Sequence, residues 1–195
     1  MNNKKKVLVF PCGSEIGLEI YNAVNHSIHF DLFGLSSKPD HGTFLYNKYF
    51  EIDCFYNDDL FLEKLNEIIY LNQIDIVYPT MDSVITFFKK NEHKINAIVV
   101  GPDYQTTLIC ESKLETYSLL ESVVKCPKLY LNKEDADSLP LFTKPIVGYG
   151  SRNAFKITNL AQLENICLEK QLIMEYLPGD EYTIDCFTGL DQNLK

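Results

Sequence analysis

Apolar and polar positions follow two different rhythms along this chain, and the change falls after Gly101-Pro102. Lys6 to Phe10 is a short aliphatic and aromatic run that predicts a buried strand. Pro11-Cys12-Gly13-Ser14 predicts a turn, and Glu15 to Val24 carries apolar residues at helical spacing behind Ser14 as N-cap. Ile28 to Leu35 predicts a second strand. After a polar loop from Ser36 to Gly42, Lys48 to Ile52 predicts a third. Asp58 to Leu71 is an amphipathic helix with Leu62, Leu65, Ile68 and Ile69 on one face. Ile74 to Tyr78 is strand-like and stops at Pro79, Val84 to Lys94 is helical, and Ala97 to Val100 is a further strand. Strands alternating with helices across short turns imply a parallel sheet with right-handed crossovers.

Beyond that point the rhythm belongs to an antiparallel sheet with helices on one face. Leu108 to Val124 predicts a helix with its exit at Cys126-Pro127, and Asn132 to Ser138 an acidic linker. Leu139 to Lys144, Phe155 to Ile157, Leu172 to Tyr176 and Tyr182 to Phe187 predict strands, with a helix from Leu160 to Glu169. The fold class is therefore α/β: a Rossmann-like parallel-sheet domain over residues 1–103, followed by an α+β antiparallel lobe over residues 104–195.

Composition narrows the function classes. A chain of 195 residues has ample core, and 46% apolar with 23% charged residues is ordinary for a soluble globular protein. The net charge of −9 argues against general nucleic-acid binding, though a local basic cluster still suits a small anion. No apolar run is long enough to span a bilayer, and Val7 to Phe10 is too short for a signal-peptide core, so the expected compartment is the cytosol. Cysteines 12, 54, 110, 126, 167 and 186 form no Cys-x-x-Cys pair and mostly fall in apolar stretches, which predicts reduced core thiols. Histidines 26, 29, 41 and 93 show no metal-ligand spacing, so no zinc site is expected.

The candidate chemistry lies between Leu141 and Asp185. Lys144 ends an apolar strand and offers a compact cation on a long stem; for a single lysine, a strand end facing solvent is the commoner fate. Gly148 and Gly150 let the following backbone turn its N–H groups towards an anion, with Ser151 and Arg152 adding a hydroxyl and a fork of donors. A plain hairpin loop reads equally well there. Extended backbone at Glu175, Tyr176 and Leu177 can meet the edge of an adenine, and the Glu181 carboxylate can accept ribose hydroxyls. Two exposed glutamates around Pro178-Gly179 are the plainer account, and Lys113 alone reads as a surface lysine.

In this order, the segments resemble the ATP-grasp superfamily, in the branch around the large subunit of carbamoyl-phosphate synthase. Val7 to Gly17 looks like the opening of that family's N-terminal domain, and Ile74 to Thr80 like its later strand with a turn towards the active site. The resemblance implies that Lys113, within Glu111-Ser112-Lys113, contacts nucleotide phosphates and that Lys144 reaches phosphates and adenine. It makes Gly148, Gly150, Ser151 and Arg152 the loop that closes over the triphosphate, with Arg152 the catalytic residue. Glu175, Tyr176 and Leu177 become the adenine hinge, and Glu181 the ribose carboxylate.

The implied ligands are ATP with Mg2+ and a carboxylate substrate that the sequence does not identify. The implied reaction phosphorylates that carboxylate to an acylphosphate, which an amine or other nucleophile attacks. Homo-oligomerisation stays open. A non-catalytic nucleotide-binding module and a nicotinamide-dependent oxidoreductase are the alternatives, but Gly13-x-x-x-Gly17 lacks dinucleotide-fingerprint spacing. The family's Glu-x-Asn metal triplet is missing; Asp191-Gln192-Asn193 imitates it only ten residues past Glu181. The chain is thus expected to be the first part of a longer enzyme, with its metal ligands beyond residue 195 and no catalysis of its own.

Overall fold

The computed structural model describes residues 4–184, and contacts divide the chain into two compact units between Leu119 and Leu120. In the first, β1 (Lys5–Phe10), α1 (Glu15–Val24), β2 (Phe30–Ser36), α2 (Gly42–Leu45), β3 (Tyr49–Glu51), α3 (Phe61–Asn72), β4 (Ile76–Pro79), α4 (Asp82–Lys90) and β5 (Ile98–Val99) follow in order. All pairings are parallel and the strand order is β3-β2-β1-β4-β5. This is the doubly wound arrangement that the alternating pattern predicts.

Central strand β1 explains its own composition. Leu8 and Phe10 enter a core with Phe61, Leu65, Val77 and Phe88, while Val7 and Val9 pack on the other side with Cys12 and Tyr46. A strand covered on both faces reads as an unbroken apolar run. Helix α1 begins where the sequence predicts, because Ser14 Oγ accepts the Gly17 N–H at 2.9 Å.

Several boundaries differ. The helix expected from Leu108 to Val124 is two helices, α5 (Tyr104–Glu111) and α6 (Lys113–Leu120), interrupted where Ser112 turns extended. Asp103 caps α5 by accepting the Thr106 N–H at 3.0 Å, and Ser112 Oγ accepts the Glu115 N–H at 3.3 Å. Expected helix Val84 to Lys94 ends at Lys90 and continues only as a 3-10 turn, Glu92–Lys94. The loop from Ser36 to Gly42 runs into one-turn helix α2, whose first N–H donates to Asp40 Oδ1 at 2.8 Å.

The second unit contains β6 (Leu129–Tyr130), β7 (Leu141–Pro145), β8 (Phe155–Ile157), α7 (Leu160–Glu164) and β9 (Gln171–Glu175). Its pairings are antiparallel, in the order β6-β9-β7-β8. Leu141, Ile157 and Ile173 share one face and bury against Leu163 and Ile166. Helix α7 stops at Glu164 rather than Glu169, its last turn closed by Asn165 Nδ2 donating to Ala161 O at 3.0 Å. Of the strand expected over Tyr182 to Phe187, Tyr182, Thr183 and Ile184 join no sheet, and the rest lies outside the described residues. Asp191-Gln192-Asn193 lies outside them too.

Five cysteines are described and all are free, but only Cys12 is buried; Cys110 and Cys167 are exposed, contrary to the expected core thiols. Burial pushes the Cys12 thiol from 9.0 up to about 11. The unfolded chain therefore releases this proton near pH 9 while the folded chain holds it. The contribution to stability is full well below pH 9 and falls as pH rises towards 11, by about 1 kcal/mol for the step from about pH 9.5 to 10.5. Urea unfolding across that range should show the decline in wild type and a shallower one in Cys12→Ala. Equal slopes would mean that Cys12 ionises as easily folded as unfolded.

Candidate functional site

The carboxyl ends of β1 and β4 meet where the strand order reverses, the position at which doubly wound sheets present their loops to ligands. Thr80 ties the two turns together: its N–H donates to Phe10 O at 2.9 Å and its hydroxyl to Pro11 O at 2.8 Å, while Ser14 Oγ lies 2.8 Å from Thr80 Oγ1. Behind them, Ser36 Oγ donates to Asp40 Oδ2 at 2.5 Å and lies 3.3 Å from Cys12 Sγ. The Asp40 carboxylate sits against Gly13, where any Cβ would overlap it. A carboxylate over that glycine opposes a pyrophosphate at the same spot, which is a physical reason for this turn not to serve a dinucleotide.

Lys113 belongs to the first unit, at the first position of α6, and the other sequence candidates belong to the second. Register decides what the sheet presents. Lys144 lies opposite Leu172, and Phe142 lies opposite both Lys156 and Met174. Successive side chains alternate faces, so Phe142, Lys144 and Lys156 project away from the buried Leu141, Thr143 and Ile157.

Strand β7 then releases into the glycine loop. Gly148, Gly150, Ser151 and Asn153 all have positive φ, at 156°, 63°, 53° and 58°. Gly150 stands in open space, so its backbone is free to meet a ligand. Arg152 lies over the Tyr149 ring, 5.3 Å from its centroid, so its guanidinium has a resting partner within the loop. A cavity of about 940 Å³ opens beside this loop, lined by Tyr149, Arg152, Phe155, Gln162, Ile166 and Lys170 among others; neither Lys144 nor the hinge lines it.

The hinge leaves from β9, next to β7 in the sheet. Glu175 closes that strand: its N–H donates to Lys128 O at 2.9 Å, and Oε2 accepts the Lys128 N–H at 3.3 Å. Tyr176 follows half-buried, Leu177 is exposed, and Glu181 stands exposed beyond the Pro178-Gly179 turn. Lys144 and Glu175 thus stand on adjacent strands of one sheet, and the glycine loop joins β7 to β8.

Among the described residues no group of three or more His, Cys, Asp or Glu side chains converges to hold a metal ion. No helix there is long and apolar enough to cross a membrane.

Parallel sheet followed by antiparallel sheet is also the arrangement of solved ligase and carboxylase structures. N5-carboxyaminoimidazole ribonucleotide synthetase from Thermotoga maritima superposes with a TM-score of 0.64 at 17% identity, over 89% of this chain and 46% of that one. L-amino acid ligase from Bacillus licheniformis gives 0.64 at 16%, over 92% and 45%. The biotin carboxylase domain of Hydrogenobacter thermophilus 2-oxoglutarate carboxylase, in complex with MgADP, ADP and bicarbonate, gives 0.66 at 16%, over 89% and 44%. At such identities the likeness is one of fold, and the chain spans less than half the length of these proteins. In sequence, residues 110–194 match the family described as ATP-grasp domain. No match was found among the curated proteins.

Proposed function

We propose that this chain is the N-terminal, ATP-binding portion of an ATP-grasp ligase, with residues 1–103 as its leading domain and 104–195 as the first part of the ATP-grasp domain. The observation that carries the reading is the continuity of β7: a strand that presents the half-buried Lys144 on the face opposite Leu141 and Thr143 and runs straight into a loop of positive-φ residues, beside hinge strand β9. The ATP-grasp match over residues 110–194 supports it independently. In this reading Lys144 and Lys113 draw in the phosphates and loop residues Gly148 to Arg152 close over them. Glu175 to Leu177 hold adenine by backbone groups, and Glu181 takes the ribose.

The chemistry we infer for the whole enzyme activates a carboxylate as an acylphosphate for attack by an amine or other nucleophile, in the cytosol. The carbamoyl-phosphate synthase-like branch is the nearer relation we favour, on the motifs from Glu111 to Lys113 and Lys144 to Arg152. Magnesium, when bound, would offset charge on the terminal phosphates, and its ligands in this reading come from outside these 195 residues. Phosphoryl transfer depends almost wholly on positioning and charge neutralisation. The 195-residue chain should therefore bind ATP without turning it over. A phosphate-release assay with Mg-ATP, on this chain and on the intact parent, tests that: release by the chain at the parent's rate would show that the catalytic centre has been misplaced.

A further inference from the structure

We propose that Lys156 is a specificity-determining residue that recognises the base of the bound nucleotide. The proposal rests on the reading of the second unit as an ATP site.

Three features of the sheet lead to it. Lys156 is the middle residue of β8, between Phe155 and Ile157, and lies opposite Phe142 of β7. Phe142 and Lys144 are two residues apart on β7, so both lysines project from the same face, on neighbouring strands, as diagonal neighbours about 7–8 Å apart at their backbones. They are not equivalent, however. Lys144 is one residue from the end of β7, next to the glycine loop, whereas Lys156 is level with Phe142, further from that loop and nearer the hinge. Its ammonium in fact lies 4.0 Å from the centroid of the Tyr176 ring, on the residue that follows β9.

One cation therefore marks the phosphate end of the face and the other marks the base end, with the half-buried Phe142 ring between them as a surface for a planar group. The resting partner of Lys156 is one that a ligand can replace. An exposed cation–π contact contributes about 0.5–1 kcal/mol, whereas a hydrogen bond to a charged donor contributes about 1.5–3. A purine lying over Phe142 with a ring nitrogen or carbonyl towards Tyr176 offers the ammonium the stronger contact. Lysine donates and never accepts, so it selects the acceptor edge of the base.

The test compares ATP with inorganic tripolyphosphate, which has the charge but no base, by calorimetric titration of the full 195-residue chain. Lys156→Met should weaken ATP about tenfold and leave tripolyphosphate unchanged, with Lys156→Arg recovering most of the loss because it keeps a cation and its donors. Lys156 is exposed, so the methionine variant should keep the wild-type circular dichroism spectrum. Equal weakening of both ligands would make Lys156 a general phosphate cation and overturn the proposal, as would unchanged ATP affinity. A wild-type chain that binds ATP no more than buffer would instead remove the nucleotide reading itself, and the base role with it.

Discussion

Replacing Lys144 with methionine is expected to lower the affinity for ATP by one to two orders of magnitude while leaving the fold intact. A charge-assisted hydrogen bond to phosphate is worth about 1.5–3 kcal/mol, which corresponds to roughly ten- to a hundredfold in Kd. The stem of methionine is nearly as long, so the half-buried packing along β7 is retained. In the proposed site Lys144 meets phosphate, so the same variant should lose tripolyphosphate as well as ATP. That separates it from Lys156, whose loss should fall on ATP alone. Unchanged affinity for both ligands, with an unchanged unfolding transition, would return Lys144 to the role of a strand-end lysine facing solvent.

How much of this could be read from the chain depended on whether the deciding interaction was local. Ser14, three residues before the N–H it accepts, marked the start of α1, and Phe155 to Ile157 was bounded correctly by its own apolar ends. The same kind of signal marks the break between α5 and α6. Ser112 and Glu115 have capping-box spacing, and Asp103 stands three residues before Thr106, but the apolar periodicity from Leu108 onwards masked both.

Other features had no local signal. Strand β6 is two residues long and exists because Leu129 and Tyr130 pair with Met174 and Ile173 more than forty positions later. Lys156 carries no local signal for a related reason. Alternation within Phe155 to Ile157 shows that Lys156 faces away from its neighbours, but only the register with Phe142 shows that it shares a face with Lys144. The resting place of Arg152 over Tyr149 is likewise a matter of loop conformation, set by positive φ at Gly150, Ser151 and Asn153 rather than by composition.

The Gly13-x-x-x-Gly17 spacing also acquires a physical meaning, and with it the largest stability change expected in the first unit. Gly17→Ala should destabilise that unit by about 2 kcal/mol or more, even though alanine is intrinsically the better helix former by about 1 kcal/mol. A Cβ at position 17 would overlap the carbonyl oxygen of Cys12 and come within 2.8 Å of its carbonyl carbon and 3.0 Å of its Cα. These are backbone atoms of the buried Cys12, in the turn that follows β1, and no rotamer change can move them aside. Helix α1 would have to retreat instead. Gly17 O accepts the buried Tyr46 hydroxyl at 2.7 Å, and the Gly17 N–H is the one that Ser14 caps, so retreat strains both bonds. Leaving a buried hydroxyl unpaired costs about 1–3 kcal/mol by itself, which outweighs the gain in helix propensity. Urea unfolding followed by far-ultraviolet circular dichroism measures the balance: a midpoint at or above that of wild type would show that α1 stands further from the β1 turn than these contacts require.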